Sequence, residues 1–201
     1  MGKNHEKESS ERSIQDYLSL GYLYLLALGI IREVIYYKFL DVNILSYSNV
    51  LDVILSPLVY ISKNSVVIIT LIIFAIIIHF LNKYMSKKKY NAAIEAGETE
   101  TKLLTKMEVF QGSLILFAFL VFSFFLGTGV GSGNKHAGKL ESGDFKNSHE
   151  ITFMDKEKIH AKVIGSNSQY IFYVLENEKQ VSISPIPGNV KKITKLPRKE
   201  E

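Results

Sequence analysis

The sequence has no cysteine and no tryptophan, and only four prolines in 201 residues. Lacking cysteine, it has no disulfide scaffold, no Cys-ligated zinc site, no iron–sulfur cluster and no thiol nucleophile. The compartment stays open on this ground, because a cysteine-free chain tolerates either redox environment. Charge of one sign is also scarce. There are 24 basic and 20 acidic side chains, a formal net charge of +4. That balance is too small and too scattered for nucleic-acid binding.

Chemical motifs are missing as well. There is no G-x-S-x-G, no H-E-x-x-H and no G-x-x-x-x-G-K-[ST]. The five histidines, at 5, 79, 136, 149 and 160, have no pair at metal-site spacing. No cluster of carboxylates interrupts an apolar run, which speaks against a proton-coupled carrier. The expectation is a protein without enzymatic activity, cofactor or metal.

What the chain has is hydrophobicity in runs. Hydrophobic residues make up 47% of it, an ordinary share, but they are bunched. Residues 66–81 read VVIITLIIFAIIIHFL, with only Thr70 and His79 polar. Residues 109–127 carry no charge. At about 1.5 Å per residue these 19 reach roughly 28 Å, close to the thickness of a hydrocarbon core. The first run, 17–31, continues through Arg32 and Glu33 to about Leu40. No small-residue cleavage site follows it, so it reads as a retained helix rather than a signal peptide. Spans are expected at about 17–40, 64–83 and 109–127.

Residues 49–60 form a shorter amphipathic pattern. Val50, Leu51, Ile54, Leu55 and Leu58 share one helical face, and Asn49, Asp52 and Ser56 the other. Asn49 is placed to cap, with Asp52 at the capping-box position, and Pro57 to kink or end the helix. Such a helix lies in the membrane interface. A fourth, polar span over 44–62 is the alternative.

Orientation follows the lysines. The loop 82–108 carries Lys83, Lys87, Lys88, Lys89, Lys102 and Lys106, whereas 41–64 carries only Lys63. The lysine-rich loop should be cytoplasmic, with the charged tail 1–16. The C-terminal region is then outside, with a bacterial inner membrane as the expected location. Within the loop, 91–108 reads as a helix supported by a Glu98–Lys102 pair.

Glycines at 127, 129, 131, 133, 138 and 143 suggest a flexible linker over 129–149. Beyond it, period-two alternation predicts strands at 151–154, 159–164, 170–175, 181–185 and 190–196, separated by turn-rich breaks. The strand at 170–175 is apolar on both faces and should be internal. A short charged tail, 197–201, closes the chain. The fold class expected is therefore an α-helical membrane protein, 17–128, with three transmembrane helices and an interfacial amphipathic helix. It carries a small antiparallel β domain, 150–196, as a meander or SH3-like barrel. A domain of that size buries little and should dock on the membrane part or on a copy of itself.

Few residues stand out as functional. Arg32 and Glu33 lie in the last third of the first span. Being adjacent, they should point about 100° apart and not face one groove. The plainer reading makes Arg32 an anchor snorkelling beside Tyr36, Tyr37 and Lys38. The sharper one makes the pair a polar contact between helices. His79 reads as an interfacial histidine, and Lys83, Lys87, Lys88 and Lys89 as a basic cluster for lipid headgroups. Within the spans so drawn no strict G-x-x-x-G occurs, although small residues can still let helices approach. Expected partners are the bilayer, an unidentified protein held through 150–196, and a second copy of the chain. Two functions fit: anchoring or relaying the state of a β interaction domain, or an oligomeric pore or membrane-disrupting effector gated by it.

Overall fold

A computed structural model describes residues 14–95 and 101–197. The expected tail 1–16 lies mostly, and 198–201 wholly, outside the described residues, as does Glu98. Helix α1 is Ile14–Lys38, a 3-10 turn follows at Ile44–Tyr47, and α2 is Val50–Lys63. Helices α3, Ser65–Glu95, and α4, Thr101–Ser142, complete the helical part. Among the described residues three helices are long and apolar enough to cross a membrane: Leu18–Lys38, Ser65–Ala92 and Val109–Ser142. Most of their apolar surface faces outward, as at Ile69, Ile73, Ile115 and Phe119. A protein dissolved in water rarely exposes so large an apolar surface, whereas lipid covers it.

Helix α4 is the one on which both α1 and α3 pack. Leu28, Val67, Val121 and Phe125 form the buried cluster where the three meet. Two polar contacts reinforce it. The Tyr24 hydroxyl donates to the Ala118 carbonyl. The Ser113 hydroxyl lies 2.6 Å from Asn82 Oδ1 on α3 and 2.6 Å from the Val109 carbonyl. Side-chain bonds of this kind hold helices together in lipid, where hydrophobic association is lost.

Two expectations need correction. First, 129–142 is not a linker: α4 runs unbroken through it and stops at Gly143, whose φ of +70° supplies the left-handed turn a helix end uses. The glycines there serve packing. A Cβ at Gly129 would sit 3.1 Å from the Arg32 carbonyl oxygen, and one at Gly133 would sit 2.7 Å from the Phe39 ring. Gly129 and Gly133 are a G-x-x-x-G pair, and α1 lies against it. Second, α2 has 14 residues, about 21 Å at ~1.5 Å each, too short for a fourth span. Of the helix expected at 91–108, the described residues 91–95 and 101–108 are helical, the former in α3 and the latter in α4, and 96–100 lie outside the described residues.

The five strands are β1 His149–Phe153, β2 Lys158–Ser166, β3 Tyr170–Leu175, β4 Ser182–Pro185 and β5 Val190–Lys195. They form one antiparallel sheet in the order β4-β3-β2-β1-β5. β4 and β5 remain separate edges, so no barrel closes. Pro185 on one edge, with Lys191, Lys192 and Lys195 on the other, discourages further strand pairing. β3 is internal and buried on both faces, as its sequence requires. Phe172 and Val174 turn toward the helices and join Tyr36, Tyr37, Leu40 and Leu140. Ile171 and Tyr173 turn the other way, toward Ile151, Phe153 and Ala161, with Ile186 of the β4–β5 connection and Val190 of β5 packed beside them.

Two predictions follow from this packing. Gly133→Ala should drive a methyl into Phe39 and lower stability by roughly 1–3 kcal/mol. Gly127→Ala, whose Cβ meets nothing within 4 Å, should be neutral or slightly stabilising. Thermal melts of the two variants in one detergent compare them directly. In the sheet, burial first, then Lys162 and Lys195, hold His149 below the ordinary imidazole range. As pH falls through about 6.5 the unfolded chain takes up that proton before the folded one, so stability falls. His149→Gln should flatten the melting curve's pH dependence between about 6.5 and 5.

Candidate functional site

The amphipathic helix α2 is turned opposite to one in a soluble protein. Its apolar residues Val50, Leu51, Leu55 and Leu58 are exposed, while Asp52 and Ser56 look into the protein. Pro57 is buried against Gly29 of α1, at a distance that leaves no room for a Cβ on the glycine. Between α1, α2, α4 and the β2–β3 hairpin lies a cavity of about 640 Å³.

Arg32 and Glu33 both line it, and they form an ion pair. This corrects the expectation that adjacent residues would face apart. The 100° between successive Cβ directions separates short side chains, whereas a guanidinium on a long stem can fold back to its neighbour. Arg32 does not snorkel outward either. Its side chain is 12% exposed. The guanidinium carbon sits 3.6 Å from the centroid of the Tyr60 ring and 5.7 Å from that of Tyr36. A desolvated cation over an aromatic face gains about 2 kcal/mol. Arg32 Nε is buried and has no hydrogen-bond partner, which ordinarily costs about 1–3 kcal/mol. On the α4 side, the Tyr36 hydroxyl and His136 Nδ1 are 2.9 Å apart.

A polar latch between α2 and the β2–β3 hairpin lines one side of the cavity. Asn49 Oδ1 accepts from the Asp52 amide at 2.8 Å, and Asp52 Oδ2 from the Asn49 amide at 3.2 Å, so the expected capping box is present. The same carboxylate reaches the hairpin: Ser168 donates its amide to Oδ1 and its hydroxyl to Oδ2, each at 3.0 Å. Asn49 Nδ2 donates to the Ser168 hydroxyl at 2.8 Å. Asn167 Nδ2 donates to the Tyr47 carbonyl at 2.8 Å. One acid thus ends a helix and holds a sheet loop.

A step inward, Tyr37 lies under the sheet. Its ring centroid is 5.0 Å from that of Phe172, and a Cβ on Gly165 would collide with its hydroxyl. Gly165 follows the irregularity in β2–β3 pairing after Val163, a bend with room for the tyrosine.

The other singled-out residues lie elsewhere. His79 is exposed on α3, its ring beside Phe80. Lys83, Lys87, Lys88 and Lys89 are exposed further along the same helix, and the last three fan around its axis. Sequence reasoning overlooked Tyr60, His136 and Ser168, whose roles come from partners distant in the chain. The pair Gly129/Gly133 was readable from spacing alone. Among the described residues no group of three or more histidines and carboxylates could hold a metal ion. The cavity offers charge pairing, ring faces and hydroxyls, which suit binding. No protein-family model, curated protein or solved structure matches the chain.

The latch predicts coupled energetics. Asp52→Ala leaves the Asn49 cap in place but removes the carboxylate's half of the capping box and its bonds to Ser168, and should cost about 1–2 kcal/mol. Ser168→Ala removes only the hydroxyl's contacts with Asp52 and Asn49 and keeps its amide bond to Asp52 Oδ1. The double variant should depart from additivity by about 1 kcal/mol, read from melts of the two single variants and the double variant.

Proposed function

We propose that the chain is a non-enzymatic multi-pass membrane protein whose helices anchor a C-terminal β interaction domain and relay its state. The observation that carries this reading is the packing of Tyr36, Tyr37 and Leu40 against Phe172 and Val174. The sheet is bonded to the helices through an apolar cluster, and α4 enters it after only a short connection, 143–148. A partner that shifts the sheet therefore shifts α1 and α2 with it. This favours a relay over a passive tether.

In this reading the lysine-rich ends of α3 and α4 face the cytoplasm, with the N-terminus, and the β domain lies outside. The six lysines of 82–108 against the single Lys63 of 41–64 support that orientation. Helix α2, apolar outward, rests in the interface on the β-domain side. The protein partner binds through 150–196.

The rival reading, an oligomeric pore, draws support from α3, which leaves most of its surface to lipid or a second copy. Within one chain, Arg32 and Glu33 pair inside α1, and no row of charges continues from them through the apolar stretches 66–81 of α3 and 109–127 of α4.

Sided labelling tests the reading. The chain has no native cysteine, so Asp155→Cys and Lys88→Cys report cleanly. Asp155→Cys should react with an impermeant maleimide in whole cells, and Lys88→Cys only after permeabilisation. The reverse pattern would put the β domain inside and sink the extracytoplasmic partner. Ion flux from reconstituted protein, abolished by Arg32→Leu, would favour the pore.

A further inference from the structure

The relay leaves the chemistry of the cavity unused. Four charged side chains line it: Arg32 and Lys63, Glu33 and Asp52. Their formal charges cancel. Asp52 is committed to Ser168 and Asn49. Arg32 already holds Glu33 and stacks on Tyr60, and still has an unpartnered buried Nε. The interior therefore offers a donor at Arg32, a second cation at Lys63 and an acceptor at Glu33.

The rim differs in character. Leu45, Leu55 and Val59 line the cavity and are also 52%, 49% and 44% exposed. They lead onto the outward apolar face of α2, at Leu51 and Leu58. Polar interior and apolar lip together complement an amphiphile. The depth is right as well. Arg32 and Glu33 lie near the end of the apolar stretch Leu18–Lys38, where hydrocarbon gives way to headgroups.

We propose that this cavity seats the headgroup of a zwitterionic phospholipid with a primary ammonium. Its phosphate pairs with the Arg32 guanidinium and Lys63, its ammonium donates to Glu33, and its acyl chains leave past Leu55 along α2. A site of zero net charge disfavours an anionic lipid, whose extra charge would go unpaired. A trimethylammonium group cannot donate to Glu33. The inference rests on the membrane placement of the helices and is independent of the relay.

Native mass spectrometry of the full chain in mild detergent tests it, with phosphatidylethanolamine, phosphatidylcholine and phosphatidylglycerol of matched acyl chains. Phosphatidylethanolamine should be retained as a one-to-one adduct, about tenfold more tightly than either other lipid. Lys63→Gln, at an exposed position, should weaken retention about tenfold without moving the melting temperature. Glu33→Gln should shift preference toward phosphatidylglycerol. Equal retention of the three lipids would overturn the proposal, as would an unaltered adduct in Lys63→Gln. Displacement of the lipid by millimolar phosphoethanolamine alone would show that the site takes a soluble headgroup, and would overturn the lipid assignment.

Discussion

The end of α1 and the residues just after it, from Gly29 to Leu40, are the stretch on which α2, α4 and the sheet all close. Gly29 receives Pro57 of α2, and the Arg32 backbone and Phe39 ring lie against Gly129 and Gly133 of α4. Tyr37 supports the sheet beneath Gly165 and Phe172. At Gly29, Gly133 and Gly165 the approach is too close for an added carbon, and at Gly129 it is tight, so little room is left for this helix to shift locally. Packed interfaces of that kind respond by repacking rather than by gradual deformation. This makes the helix–sheet junction the mechanical centre of the molecule.

The polar groups of the junction fit around that packing. Arg32 lies deep because Tyr60 and Glu33 replace the water it gives up, one through its ring face and the other through its carboxylate. Asp52 can reach the hairpin because α2 turns its polar side inward, which in turn requires that its leucines face lipid. The amphipathic pattern of 50–63 is thus read twice, once by the bilayer and once by the sheet. An aqueous environment would oppose the orientation that makes the latch.

Much of this could be read in advance. Long uncharged runs announced the spans because length and continuity suffice for that inference. Alternation announced the strands, and the two-faced apolar pattern of 170–175 marked β3 as internal. The capping box was visible as Asn49 and Asp52. The glycines of α4 were misread, since in water they would mark a linker. In a helix pressed against another they mark proximity, and that partner is about a hundred residues away. The pairing of Arg32 with Glu33 was hidden for a different reason: helical geometry fixes where a side chain starts, and only tertiary contacts decide where a long one ends. The cavity has no sequence signature, being assembled from four separate segments.

The junction also orders events in biogenesis. Tyr36, Tyr37 and Leu40 are made early, and Phe172 and Val174, which cover them, more than 130 residues later. Throughout that interval an aromatic patch stands uncovered at the end of the first helix. The last third of the chain, from His136 and Leu140 to Val174, completes its cover. A truncated product would keep the patch bare, giving membrane quality control a direct mark by which to tell unfinished copies from finished ones.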